Sequence, residues 1–215
     1  MSSTQNNPFS DSAPEIYTRA RIDHWNSVAG SSLQRQGMRR CYHHRLSQVY
    51  RFLIPQGRRV LEVGCGEGDL LAALDPSQGI GLDFSHVMLE KAREKHPGLT
   101  FLAQDIHNLA SGNLPEALKQ PFDAIILSDL VNDLWDVRVA LQNPRPLWSA
   151  DTRIILNFHS HLWEKPAQWA QKNGAMTPRL EQNWLTPEDM SNLLQLAGFE
   201  VIRRFDDFLL PWQIP

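Results

Sequence analysis

The chain has 215 residues, 42% hydrophobic and 21% charged, with a formal net charge of −3. That length suits one domain with a full core, and the charge balance gives no bulk electrostatic reason to bind nucleic acid. Two cysteines, Cys41 and Cys65, are too few for a disulfide framework or a zinc site, and no run of about 18 apolar residues exists to span a membrane.

Residues 1–14 are rich in Ser, Asn and Pro and are expected to form a disordered tail. They lack the basic flank and apolar stretch of a signal peptide, which leaves the cytoplasm as the default location. Residues 15–57 form a helical cap in this reading. One helix runs from Ile16 to about Val28, Ser31, Ser32 and Gly37 interrupt the pattern, and Met38–Leu53 is a longer helix. Its apolar stripe is Tyr42, Leu46, Val49 and Leu53. Tyr42, His43 and His44 suit either a packed helix face or contact with a substrate. Pro55 and Gly57 stop the helix before the first strand.

Residues 58–215 carry the core. Val60, Leu61 and Val63 form an apolar run that ends in Gly64, Gly66 and Gly68, and Leu70, Leu71, Ala73 and Leu74 then follow with helical spacing. Strand, glycine turn and helix make the nucleotide-binding opening of a doubly wound α/β domain. The spacing is G-x-G-x-G, with Asp69 where a dinucleotide fingerprint has its third glycine. Glu62, near the carboxyl end of the strand, would repel a pyrophosphate and suits a cationic ligand that carries an amine. Cys65 fills a position in the turn that needs a small residue, and packing accounts for it.

Gly79–Leu82 is the second strand and ends in Asp83, about 20 residues after the turn, where an acid can grip a ribose diol. The rival reading of Asp83 is a helix cap. Phe84 and Ser85 lead into a helix over His86–Lys95 that turns Met88 and Leu89 inward. Leu99–Ala103 is the third strand, followed by Gln104, Asp105, Ile106 and His107. The fourth strand, Phe122–Leu127, is nearly all apolar, as a strand covered on both faces should be. It runs into Ser128–Asp133 and then a helical stretch with Trp135. A strand order of 3-2-1-4-5 reverses between the first and fourth strands, and ligands bind at that switch point. The glycine turn and Ser128–Asp133 therefore border the expected crevice.

Arg153–Asn157 is the fifth strand and leads to His159 and His161. No third ligand accompanies this pair, so no metal site is expected. Gln168–Arg179 reads as an insertion that walls or covers a pocket. Thr186-Pro187-Glu188-Asp189 starts a helix that ends at Gly198, and Phe199–Leu210 returns as a strand.

The run Glu62-x-Gly64-x-Gly66-x-Gly68, with Asp83, Asp105 and the Ser128–Asp133 loop following in order, resembles the class I S-adenosylmethionine (SAM)-dependent methyltransferases over roughly residues 40–210. The resemblance implies a Rossmann-like doubly wound sheet with N-terminal helices folded over the cofactor. It places Glu62, Gly64, Cys65, Gly66, Gly68, Asp83, Phe84, Met88, Asp105, Ile106, Ser128 and Asp129 around SAM. Asp83 would hold the ribose hydroxyls. Asp105 would accept from the adenine amine, beside the backbone N–H of Ile106. The family's sheet usually has seven strands ordered 3-2-1-4-5-7-6; here Phe199–Leu210 can serve as the sixth, and the last one is expected to be missing, since two prolines in the five residues that follow cannot make a central strand. The exposed edge of the fifth strand is expected to be covered by Phe199–Leu210 or by a second copy of the chain, and a longer natural chain would explain the same gap. No Asn-Pro-Pro-Tyr type motif follows the fourth strand, which counts against methylation of an exocyclic base amine. The stretch Gln182–Gly198 resembles a bacterial subgroup sometimes fused to sugar-transferring domains.

Methyl transfer from a sulfonium is an in-line displacement governed by positioning and exclusion of water. A hydroxyl or protonated amine acceptor adds the need for a base, for which His43, His107 and His159 are the candidates. Asp129 and Asn132 are placed by topology as orienting groups. The expected function is methyl transfer to a small-molecule acceptor. The alternative is a SAM-binding sensor without catalysis, and an NAD-dependent oxidoreductase is disfavoured by Asp69 and Glu62.

Overall fold

Five short runs of mainly apolar residues become five parallel strands: β1 (Arg59–Val63), β2 (Gln78–Asp83), β3 (Thr100–Ala103), β4 (Ala124–Ser128) and β5 (Arg153–Asn157). They lie in the order β3-β2-β1-β4-β5. The computed structural model describes residues 12–30, 38–111, 114–173 and 180–206. Seven helices occur among them: α1 (Ala13–Gly30), α2 (Met38–Leu53), α3 (Asp69–Ala73), α4 (His86–Lys95), α5 (Val137–Gln142), α6 (Glu164–Lys172) and α7 (Pro187–Leu196).

Alternate residues of each strand face opposite layers, as the pleat requires. Leu61 and Val63 of β1 and Ile125 and Leu127 of β4 meet Val137, Ala140 and Leu141 of α5 and Met190 of α7. Val60, Ala124 and Ile126 face the other way, against Leu46 and Tyr50 of α2, Leu71 of α3 and Leu89 of α4. Burial on both faces is why β1 and β4 read as nearly continuous apolar runs. Truncating a fully buried side chain such as Leu61 to Ala should cost about 2–5 kcal/mol.

The register sets the site. Val63 lies level with Leu82 on one side and Leu127 on the other, so β1, β2 and β4 end together. Ser128 pairs with Asn157, which brings the end of β5 beside the loop after β4.

Three expectations change. The first helix starts at Ala13, inside the expected tail, because Ser12 caps it: the Ser12 backbone N–H and hydroxyl both donate to the Glu15 carboxylate (2.7 and 2.9 Å). The expected tail otherwise lies outside the described residues. Second, the fourth strand starts at Ala124, and Phe122 instead packs in the core under the Arg59 guanidinium. Third, Phe199–Leu210 is no strand over residues 199–206, while 207–210 lie outside the described residues. Arg204 pairs with Glu188 of α7 (3.2 Å), so this segment lies beside the helix. From Glu200 to Asp206 every residue is exposed, with Arg203 interrupting the apolar alternation. Among the described residues, β5 therefore has β4 as its one strand neighbour.

Candidate active site

The turn after β1 is held by three glycines with positive φ: Gly64 (72°), Gly66 (52°) and Gly68 (78°). They differ in what surrounds them. A Cβ on Gly64 would lie 2.8 Å from Leu130, and one on Gly68 would lie 2.6 Å from Phe101. Those two glycines let neighbouring side chains close on the turn. A Cβ on Gly66 would meet nothing within 4 Å, so the turn opens there into the crevice.

Two carboxylates brace this turn. Asp83, at the end of β2, accepts from the Gly66 N–H (2.9 Å) and the Ser85 N–H (2.8 Å). Burial pushes its acid pKa up, against those backbone hydrogen bonds. Glu62 is buried, and its carboxylate accepts from the N–H of Leu71 in the first turn of α3 (3.1 Å), a helix whose N-cap is a glycine without a side-chain cap. Burial raises the Glu62 pKa to about 8, and the charges of Asp83, Asp69 and Asp129 add to the shift. Crowded, desolvated carboxylates at one end of a sheet favour a cation. The donor set thus fits a sulfonium that carries an ammonium group better than it fits a pyrophosphate.

The other residues expected around the cofactor fall along the same crevice. Phe84 lines it, and so does Met88, which packs under Val28 and Ala29 of α1. Asp105 also borders it and accepts from the His107 backbone N–H and from Nδ1 of the His107 ring, both at 2.9 Å. Burial acts to raise the Asp105 pKa, but the His107 contacts outweigh it and leave the acid below its ordinary value. Ile106 is buried in the core. Cys65 is buried, its sulfur occupying the space a Cβ on Gly81 would need (2.6 Å), and burial pushes its thiol pKa well up. Its side chain serves packing, as a small residue in the turn should.

Helix α1 covers this end of the sheet. At its C-terminal part, the Ser85 hydroxyl donates to Asn26 (2.6 Å) and Lys91 donates to the Ala29 carbonyl. At its N-terminal part, the Tyr17 hydroxyl donates to the carbonyls of Asp133 (3.4 Å) and Leu134 (3.2 Å). The buried Arg21 stacks on the Tyr17 ring and donates to the Glu181 carbonyl. The helix is thus fastened to α4 on one side and to the loop after β4 on the other.

That loop forms the second wall. Ser128 ends β4, and Asp129 follows at φ +53°, an uncommon conformation for a residue with a side chain. The Tyr42 hydroxyl donates to both Asp129 oxygens (2.6 and 2.7 Å), and the Asn157 amide donates to Oδ1 (2.6 Å). The Tyr50 hydroxyl donates in turn to Asn157 Oδ1 (2.7 Å). His159 Nδ1 lies 3.7 Å from Asp129 Oδ1, an ion-pair distance longer than a hydrogen bond, and its ring stacks on Tyr42.

The five candidates for acceptor chemistry separate. Asp129 and His159 come together, and His43 stands near them with its ring edge-on to Tyr42 (5.4 Å). His107 does not join them: its ring nitrogens meet the Asp105 carboxylate and the Asp136 backbone N–H (3.3 Å). Asn132 is buried and acts as a clamp. Its amide donates to the carbonyls of His159 (2.9 Å) and Asn183 (2.8 Å), and its oxygen accepts from the His159 N–H (3.0 Å). It holds the backbone of the His159 loop.

Sequence reasoning missed Tyr50 and Asn157 and left Tyr42 open. Two tyrosines eight residues apart on one helix were the available signal, since neither needs a hydroxyl to pack. Asn157 carried none beyond its place at a strand end. Among the described residues no group of three His, Cys, Asp or Glu could hold a metal ion, and no helix is long and apolar enough to cross a membrane.

Comparison with known proteins agrees with this geometry. Residues 35–204 match a family model described as a methyltransferase domain. The chain is 30% identical over 152 residues to a Mycolicibacterium smegmatis protein described as a "Probable S-adenosylmethionine-dependent methyltransferase", covering 67% of this chain and 53% of that protein. It is 38% identical over 68 residues to the trans-aconitate 2-methyltransferase of an Acidovorax species, covering 30% of this chain and 26% of that one. The chain thus spans between a quarter and about half of the length of these relatives. Among solved structures, a chain from the complex of the Haloferax volcanii Trm112 methyltransferase activator with a methyltransferase superposes with TM-score 0.69 at 17% identity, covering 89% and 83% of the two chains. The SAM-bound magnesium protoporphyrin IX methyltransferase of Synechocystis PCC 6803 superposes with TM-score 0.62 at 19% identity, covering 90% and 91%. At such identities the structural likeness speaks for the fold.

Proposed function

We propose, from the premise that this chain belongs to the methyltransferase-domain family, that it transfers a methyl group from SAM to a small-molecule acceptor. The observation that carries this reading is the pairing of an open glycine turn at Gly66 with the buried acids Glu62 and Asp83 around one crevice.

Bound there, SAM supplies an activated methyl group on a sulfonium. Asp83 would hold the ribose hydroxyls and Asp105 the adenine amine, while Glu62 offers negative charge to the cationic end. Gly64, Gly66 and Gly68 keep the turn in the conformation that lets its backbone approach the ligand. On the acceptor side, Asp129 would orient His159, and the imidazole would take the proton that the acceptor gives up. Helix α1 keeps water out by closing over the cofactor from α4 to the loop after β4.

The relatives named for trans-aconitate and for magnesium protoporphyrin IX methylate small molecules by their descriptions, which supports an acceptor of that size. A bacterial cytoplasm is the setting this reading adopts, after the sources of the curated relatives. A second copy of the chain covers the bare edge of β5, and light scattering at two concentrations checks this.

Incubating the protein with cell extract and methyl-labelled SAM, followed by mass spectrometry, tests the function. A labelled small molecule that depends on the protein is expected. SAM binding without any labelled product would instead favour the non-catalytic sensor.

A further inference from the structure

Asp129 stands in a left-handed conformation that the surrounding structure must enforce. Three groups from two elements do so. Tyr42 of α2 donates to the carboxylate directly, Asn157 of β5 donates from its amide, and Tyr50, two turns along α2, donates to the Asn157 oxygen.

The last of these contacts has a specific effect. An asparagine amide can present either its oxygen or its NH2 group to a neighbour. Asp129 only accepts, so Asn157 turns its NH2 toward it, and the Tyr50 hydroxyl anchors the amide in that pose by its oxygen. The Tyr50 ring is 1% exposed, and a phenylalanine would fill the same apolar space. Its hydroxyl is therefore an orienting device, and burial raises its pKa well above the ordinary tyrosine value, which keeps it a donor.

Resting on the reading of Asp129 and His159 given above, we propose that Tyr50 and Asn157 are positioning residues that set the basicity of His159 through Asp129. Each N–H or O–H donated to the carboxylate offsets part of its charge. With Asn157 locked as a donor, Asp129 stabilises the His159 imidazolium only partly. His159 then keeps Nδ1 on the Asp129 side, and Nε2 is the nitrogen that would take an acceptor's proton. Among the described residues, the titratable and charged groups facing this cluster include Asp129, Tyr42 and Tyr50, with His43 against Tyr42 and the Glu62 charge acting on Tyr50.

The test is a titration of the His159 ring by NMR, using the full chain labelled in its histidines and saturated with S-adenosylhomocysteine. His159→Gln assigns the signal. In Tyr50→Phe the Asn157 amide loses its anchor, its hydrogen bond to Asp129 loosens, and the His159 pKa is expected to rise by about half a unit or more. If Tyr50→Phe does not fold, Asn157→Ala read in the same titration should give the same upward shift. A wild-type His159 titration in whichever variant folds overturns the proposal when Asp129→Asn still moves it. If Asp129→Asn also leaves the His159 pKa unmoved, the pairing of Asp129 with His159 itself fails, and the relay fails with it.

Discussion

The carboxylate of Asp83 accepts the backbone N–H of Gly66 at 2.9 Å, tying the end of β2 to the residue at which the glycine turn opens. The acid assigned to the ribose therefore also shapes the loop beside it. Asp83→Ala should weaken SAM binding at least about tenfold, through loss of one or two charge-assisted hydrogen bonds. It should also lower stability by about 1–3 kcal/mol, because two backbone donors lose their partner. Asp83→Asn keeps one acceptor and should lose binding with a smaller change in melting temperature. Titration calorimetry and thermal melts check both parts.

The three glycines should respond differently to substitution. Gly66→Ala adds a methyl group where the structure has open space, so stability should fall only by the cost of a left-handed residue, about 1–2 kcal/mol. SAM affinity should fall much further. In Gly68→Ala the added carbon lies 2.6 Å from Phe101 at φ +78°, so the fold itself should suffer first. Denaturant midpoints of the two variants, compared with their SAM affinities, separate these effects.

Glu62 predicts a proton linkage. Its pKa of about 8 lies above the model-peptide range near ~4.3. The free protein therefore binds a proton there that the unfolded chain releases. Its contribution to stability is fully present below about pH 4.3 and is lost as pH rises through about 8. A cation in the crevice lowers this pKa, so SAM binding near neutral pH should expel protons. Calorimetry in buffers of different ionisation heat should then give different apparent enthalpies in wild type and a single value in Glu62→Gln. Equal enthalpies in wild type would remove Glu62 from the cationic end of the ligand.

Asn132 should behave as a structural residue. Replacing it with Leu leaves the carbonyls of His159 and Asn183 and the N–H of His159 without their present partner. A loss of about 2–4 kcal/mol is expected, visible in thermal melts without any ligand. Wild-type stability in Asn132→Leu would show that these three backbone groups find other partners.

What could be read from the sequence follows what was local in it. The five strands came from short apolar runs, those of β1 and β4 buried on two faces, and the crevice from the glycine turn with Asp83 and Asp105 at strand ends. The cap of α7 was equally legible, since Thr186 and Asp189 form a reciprocal capping box. The matching Ser12–Glu15 signal was overlooked within a polar tail. The Asp129 network was illegible because its members are 87 and 28 residues away from that acid, Asn157 reaching it through sheet register and Tyr42 through the packing of α2 on the sheet. The extended run at Phe199 failed because strand propensity does not supply a partner, and the segment lies where Arg204 meets Glu188 of α7 instead.

Calorimetric titration of the full chain with SAM, S-adenosylhomocysteine and NAD tests the central claim most directly. The account predicts saturable binding of SAM and S-adenosylhomocysteine, lost in the Asp83 and Gly66 variants, and no comparable binding of NAD. Tight binding of NAD with none of SAM would contradict it.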